Sequence, residues 1–455
     1  MATAATSQFG ACDASASQKC DRADAMVVLR RLRDAGYSAY LAGGCVRDLL
    51  LGLAPKDWDV ATDAPPTRVR AMFSNTQAVG AAFGVILVRY GGSQIEVATF
   101  RADAEYADGR RPNAVRFTTA QEDARRRDFT INGLFLDPLR DGPLDGQVID
   151  YVGGRADLAG RVVRAIGDAD ARFREDHLRL LRAVRFAARF DFTIEPATAD
   201  AIARHAPQLV RISPERIAEE LRTMLTPPTR GTAYALLEEF GLLPLVFRFL
   251  DRPKIEKTTN RAGLLFMALS SAESIPFGLA LAAASLDYCV AQPATGESFQ
   301  SLFDAKHVQK VVRALRQSLK ISNEESDLLA ETLLGLAPLL DDEPPSVARL
   351  KRFLAGPASP LSRQLLEAMR TVGLLEESFV RSLQARLSRL DETDVAPPPL
   401  VSGDDLAGAG LTPGPLFKRV LDAVYDAQLE DRVATKPQAM ELAMRLAREP
   451  ASGAG

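Results

Sequence analysis

Apolar positions follow two rhythms along this chain, and the change between them divides it. Up to about residue 150, helical and alternating patterns succeed one another at short intervals. Residues 24–36 (DAMVVLRRLRDAG) space their apolar positions three and four apart, which predicts an amphipathic helix closed by Gly36. Residues 37–42 form a β-like run ending at Gly43-Gly44, and 45–51 reads as a helix stopped by Gly52. Residues 58–62 predict a second short strand and 65–73 a helix with proline at its start. Residues 85–90 and 94–100 predict a hairpin around Gly91-Gly92. Beyond residue 150 the rhythm is helical, over 173–189, 196–205, 214–225 and 233–240. Polar or proline-rich loops such as 341–345 and 391–399 break the later helices, and no repeat of fixed period is present. The expectation is an α+β protein, with a small mixed α/β head followed by an all-helical remainder.

Composition narrows the class. A chain of 455 residues exceeds one compact core and calls for two to four domains. No apolar run approaches the roughly 20 residues needed to span a bilayer, so no membrane association is expected. The Ala/Ser/Thr-rich start lacks the apolar core of a signal peptide and reads as a disordered lead over 1–23. Cys12, Cys20, Cys45 and Cys289 have no metal-ligand spacing, which predicts free thiols in a reducing cytoplasm. His177, His205 and His307 have no ligand-like neighbours, so a histidine-based metal site is not expected. Any metal is left to carboxylates, which suits Mg²⁺. The net charge of −3 argues against a generic nucleic-acid binder, but arginines concentrate over 101–127 and 155–189. A local basic groove in a near-neutral protein points to a defined polyanion site.

Four constellations carry candidate chemistry. In Gly43-Gly44-Cys45-Val46-Arg47-Asp48, glycines between a strand and a helix let backbone approach a ligand. The N–H groups at the helix start favour phosphate, and Arg47 is one turn in. In Lys56-Asp57-Trp58-Asp59-Val60, a strand would project Asp57 and Asp59 to one face. Two adjacent carboxylates repel unless a divalent cation lies between them. A D-x-D pair is weak by itself, but it follows the glycine turn by about 13 residues, placing a metal site beside a phosphate cradle. Glu96, the one acid in an apolar strand, is a candidate third carboxylate or a cross-strand structural partner. In Arg125-Arg126-Arg127-Asp128-Phe129-Thr130-Ile131-Asn132, Arg127 is the candidate triphosphate contact. Asn132 is assigned to sugar or triphosphate, and Asp128 to capping the next helical turn.

The fourth, residues 175–185, reads as a helix with Asp176 and Arg179 adjacent on it and Arg182 and Arg185 continuing the polar side. Phe186 falls on that polar side and breaks the pattern. Cytosine and adenine both present an amino donor beside a ring-nitrogen acceptor, whereas uracil and guanine invert the order. An Asp acceptor beside an Arg donor therefore suits C and A. A helix with a solvated salt-bridged face is the plain alternative.

In order, GGCVRD, KDWDVATDA, RRRDFTING, EDHLRLLRAVRFAARF and ISPERIAEEL resemble the motifs of class II tRNA nucleotidyltransferases, the CCA-adding enzymes, and of the related bacterial poly(A) polymerases. The resemblance covers roughly residues 24–245. It implies a polymerase-β-type nucleotidyltransferase head over 24–150, a helical neck for nucleotide selection over 151–228, a body over 229–345 and a tRNA-binding tail over 346–455. It implies template-independent addition of CCA to a tRNA 3′ end from CTP and ATP, by a two-metal mechanism that releases pyrophosphate. Carried over by position, Asp57 and Asp59 are the metal ligands. Gly44, Arg47 and Arg127 meet triphosphate or sugar, and Asp176, Arg179, Arg182 and Arg185 line the nucleotide pocket. The poly(A) polymerases carry a basic Gly-Arg-Arg/Lys-Phe stretch where this chain has Gly80-Ala81-Ala82-Phe83, which favours the CCA-adding branch. A loop over 101–116 favours a full CCA end over CC alone. A-only addition, a poly(A) polymerase and an inactive RNA-binding scaffold remain the alternatives, with the protein a monomer or homodimer.

Overall fold

The computed structural model describes residues 21–80, 84–103, 115–250, 263–269, 273–290, 299–340, 344–412 and 414–448. Residues 1–20, Ala81-Ala82, most of the 101–116 loop and the 341–343 break lie outside the described residues. The chain falls into two compact units, Met1–Ile212 with Phe240–Leu242, and Ser213–Glu239 with Leu243–Gly455.

The first unit opens with α1 (Arg22–Asp34), whose N-terminus is capped by the Asp21 carboxylate accepting from Ala23 N–H. It ends just before Gly36 at φ +86°, two residues ahead of the expected boundary. There follow β1 (Ala39–Ala42), α2 (Gly44–Leu50), β2 (Val60–Thr62), α3 (Pro66–Met72), β3 (Thr76–Gly80), β4 (Val85–Tyr90) and β5 (Ser93–Thr99). Gly91 and Gly92 both have positive φ, as the tight turn between β4 and β5 requires. A ribbon of β6 (Arg101–Asp103) and β7 (Val115–Phe117) brings the ends of the 101–116 loop together. Next come α4 (Ala120–Arg125), β8 (Leu134–Leu136), α5 (Leu144–Gln147) and β9 (Val148–Asp150). The main sheet runs β3-β4-β5-β2-β1-β8-β9, with β2 and β5 parallel and the other neighbours antiparallel. One of its faces carries a cluster of Ala42, Ala61, Phe100, Ala124 and Phe135. The chain continues through α6 (Gly154–Ala159), β10 (Val162–Val163), α7 (Ala169–Glu175), α8 (Arg179–Phe190), β11 (Thr193–Ile194) and α9 (Pro196–His205).

The second unit is helical. Its helix Phe277–Val290 is buried all round from Leu279 to Ala284, as a central core helix must be. The last three helices, Gly403–Gly408, Pro415–Leu429 and Lys436–Arg448, close over their own small core of Leu406, Val420, Val424 and Ala439. The mixed head and helical remainder are as expected. Among the described residues no helix is long and apolar enough to cross a membrane.

Two elements depart from expectation. The strand expected over 58–62 begins only at Val60, so Asp57 and Asp59 precede it. The β1–β2 register ends with Leu41 opposite Val60, and Gly43, at φ +72°, turns the chain away just after β1. The last link is the Ala42 N–H donating to the Asp59 carbonyl at 3.1 Å. The helix expected over 173–189 is two helices, α7 and α8, broken at Asp176–Leu178. Asp176 Oδ1 accepts from Leu178 N–H at 3.0 Å, a local bond that competes with continued helix.

Candidate active site

Asp59 stands where β2 leaves the edge of its pairing with β1, half-buried, while Asp57 is exposed two residues earlier. In the parallel β2–β5 register Val60 lies opposite Val97, which sets Glu96 in the next row beside Asp59. Glu96 is the exposed position of an otherwise alternating strand. The three carboxylates feel one another. Burial, then Glu96 and Asp57, push the Asp59 carboxyl up to about 7 against the opposing pull of Arg127. Burial and Asp57 raise Glu96 as well. Such a group of acids is stabilised by a cation. Among the described residues no three His, Cys, Asp or Glu side chains stand close enough to form a metal cage unaided. Two oxygen donors that leave positions to water and phosphate suit a hard cation of the Mg²⁺ type.

The arginines around these acids are held by a network. Asp123 is buried and receives Arg126 at 2.7 Å and Arg127 at 3.1 Å. Arg127 also donates to the Asn132 carbonyl at 3.1 Å and lies 5.1 Å from the centre of the Phe135 ring. A side chain at Gly43 would place its Cβ 2.7 Å from Arg127 Nη1, whereas one at Gly44 would meet only Arg47 Nη2 at 3.6 Å. Of the two glycines, Gly43, at φ +72°, is the one whose backbone and close contact call for glycine.

Arg47 is 4% exposed. It donates to Asp48 Oδ1 at 2.6 and 2.8 Å and to Asn132 Oδ1 at 2.6 Å, and it covers the rings of Phe186 and Phe190. It therefore stands as an internal post of the cradle. Asn132 passes the connection on, donating to Asp128 Oδ1 at 3.0 Å. Asp128 does not cap a helical turn as expected. Its other oxygen pairs with Arg182 at 2.6 Å, because a buried carboxylate needs a charged partner more than a short turn needs a cap. Burial alone would raise the Asp128 carboxyl, but Arg182, Asn132 and Arg179 hold it far below the usual carboxylate range.

Asp176 and Arg179 do not share a helix. Asp176 ends α7 and Arg179 begins α8, joined by the Arg179 N–H donating to the Asp176 carbonyl at 3.1 Å. The Arg179 guanidinium is paired with Glu175 at 2.6 Å and donates to the Arg172 carbonyl at 2.9 Å. Phe186 is no misfit on the polar side. Its ring is met by the guanidinium groups of Arg47, Arg182 and Arg185, at 5.2, 5.3 and 4.8 Å.

Sequence reasoning gave no role to Asp48, Asp123 or Arg189. Asp123 precedes Arg126 and Arg127 by the three and four residues that pair on a helix, which was a usable signal. Arg189 extends the Arg182–Arg185 row by one more turn and reaches Asp48 Oδ2 at 3.1 Å.

Residues 39–164 match the poly A polymerase head domain family, and residues 191–253 match the probable RNA and SrmB-binding site of polymerase A. The chain is 33% identical over 435 residues to a CCA-adding enzyme of Geobacillus thermodenitrificans, spanning 91% of this chain and 94% of the relative. It is 43% identical over 247 residues to poly(A) polymerase I of Salmonella typhi, spanning 52% of each. Its fold matches the crystal structure of a Bacillus stearothermophilus CCA-adding enzyme in complex with CTP, with a TM-score of 0.68 and 28% identity over 93% of this chain and 97% of that one. The fold is that of a nucleotidyltransferase. The chain belongs to the tRNA nucleotidyltransferase/poly(A) polymerase family.

Proposed function

We propose that the protein adds CCA to the 3′ end of tRNA from CTP and ATP. The observation that carries this reading is the end-to-end similarity to a CCA-adding enzyme, 91% of this chain against 94% of the relative. The reaction joins the terminal 3′-oxygen to the α-phosphorus of the nucleotide and breaks the bond to the β-phosphate, so pyrophosphate leaves. Asp57 and Asp59 hold Mg²⁺, with Glu96 beside them. When bound, the metal supplies Lewis-acid activation of the hydroxyl and charge neutralisation of the leaving group. Gly44 and Arg127 cradle the triphosphate, while Arg47 and Asn132 brace that cradle from below. Asp176 and Arg179 read the base, Arg179 exchanging its Glu175 pairing for the nucleotide, and Arg182 and Arg185 complete the pocket. We place this activity in the cytoplasm, with the buried free thiol of Cys45 in keeping.

A second reading, poly(A) polymerase, is favoured by the 43% identity over 247 residues to a poly(A) polymerase. Both readings share the acidic site, and mutation tests that site directly. Asp57→Ala or Asp59→Ala should cut nucleotide transfer by about a thousandfold or more and leave tRNA binding within about twofold. Turnover retained in both variants would remove the metal from these positions.

A further inference from the structure

Between Asp176 and Arg179 lies a histidine that the proposed chemistry does not use. His177 is 5% exposed, and its Nδ1 is buried without a hydrogen-bond partner. Its ring stacks on His205 with centroids 6.2 Å apart and planes at 26°. His205, at the end of α9, is itself fixed: Nε2 lies 2.8 Å from Asp170 Oδ1, and Phe173 packs against its ring. Asp170, in the first turn of α7, also holds Arg204 at 2.7 Å. The break between α7 and α8 thus rests on a ring stack anchored to α9. A buried nitrogen without a partner is costly, and in a native fold it calls for an explanation.

We propose that His177 is a positioning residue for nucleotide selection: wedged as a neutral ring between α9 and the α7–α8 break, it sets the turn from which Asp176 and Arg179 project. This rests on the reading of Asp176 and Arg179 as the base-selecting pair. The charged and titratable groups around the ring are Asp176, His205 and Arg211, with Asp170 and Arg204 one step further. Burial, followed by His205 and Arg211, holds the ring below the ordinary histidine range, against Asp176 and the Phe173 backbone. Protonation would put a positive charge in a buried site beside His205 and Arg211, so the turn would shift on the acid side.

The test measures kcat/KM for CTP and for UTP on tRNA lacking its CCA end, from pH 5.5 to 8, with Tm alongside. His177→Ala should reduce the preference for CTP over UTP by about tenfold. His177→Phe, which keeps a flat ring on His205, should restore that preference. The preference of the unmodified protein should decline below the ordinary histidine value of about pH 6.5, and that of His177→Phe should stay level. Equal losses for both nucleotides in His177→Ala, or the same acid-side bend in His177→Phe, would overturn the inference. Where His177→Ala does not fold, the His177→Phe profile decides. Arg179→Ala is run in parallel and should relax nucleotide choice. Unchanged discrimination in that variant removes the base-reading pair itself, whereas relaxed choice there with none in the His177 variants removes only the positioning role.

Discussion

Asp128 is buried against Arg182 on one oxygen and Asn132 on the other, and its expected role as a helix cap was misread because sequence shows neighbours along the chain only. Breaking a buried ion pair costs about 3–5 kcal/mol, less where one partner stays wet, and Arg182 keeps 31% of its side chain in solvent. Asp128→Asn should therefore cost about 2–3 kcal/mol at neutral pH. Because the folded-state pKa is depressed, the ionised pair stabilises the fold above the unfolded value of about 3.9, and that stability disappears as pH falls through the lower folded value. The gap in unfolding free energy between the two proteins should stay level from pH 5 to 8 and narrow only below about pH 4. The glycine turn gives a second contrast. Gly43→Ala forces a side chain into φ +72° and against Arg127, and should cost about 1–2 kcal/mol together with most of the transfer activity. Gly44→Ala meets only ordinary contact and should leave Tm unchanged within a degree or two.

At the scale of elements, most of the head could be read from pattern. Glycines and prolines mark its turns, and the helices Pro196–His205 and Pro214–Leu225 have the expected bounds. The break at Asp176–Leu178 could not be read from period, because Phe173, His177 and Leu181 keep helical spacing across it. The signal was chemical: an aspartate whose side chain accepts from the backbone N–H two residues on starts a new helix as readily as it continues an old one. Phe186 carries the same lesson, since its apparent misplacement vanishes once Arg47 arrives from α2. Phe186→Leu keeps an apolar side chain but removes the ring that faces three guanidinium groups. At about 0.5–1 kcal/mol for each such contact, it should lower stability by about 1–3 kcal/mol. Urea unfolding should show this as a lower midpoint with an unchanged slope.

For the whole molecule, family and fold class follow from ordered motifs in the first half of the chain, and the end-to-end relatives extend them across the second. What the motifs divide least well is the CCA-adding branch from the poly(A) branch, since the stretch and loop that favoured the former fall outside the described residues. The two branches differ in product. The direct measurement is extension of a tRNA that ends before its CCA, with CTP and ATP supplied singly and together, resolved nucleotide by nucleotide. The account predicts two C additions with CTP alone, then one A when ATP is present, and a stop. Long A tails without use of CTP would contradict it.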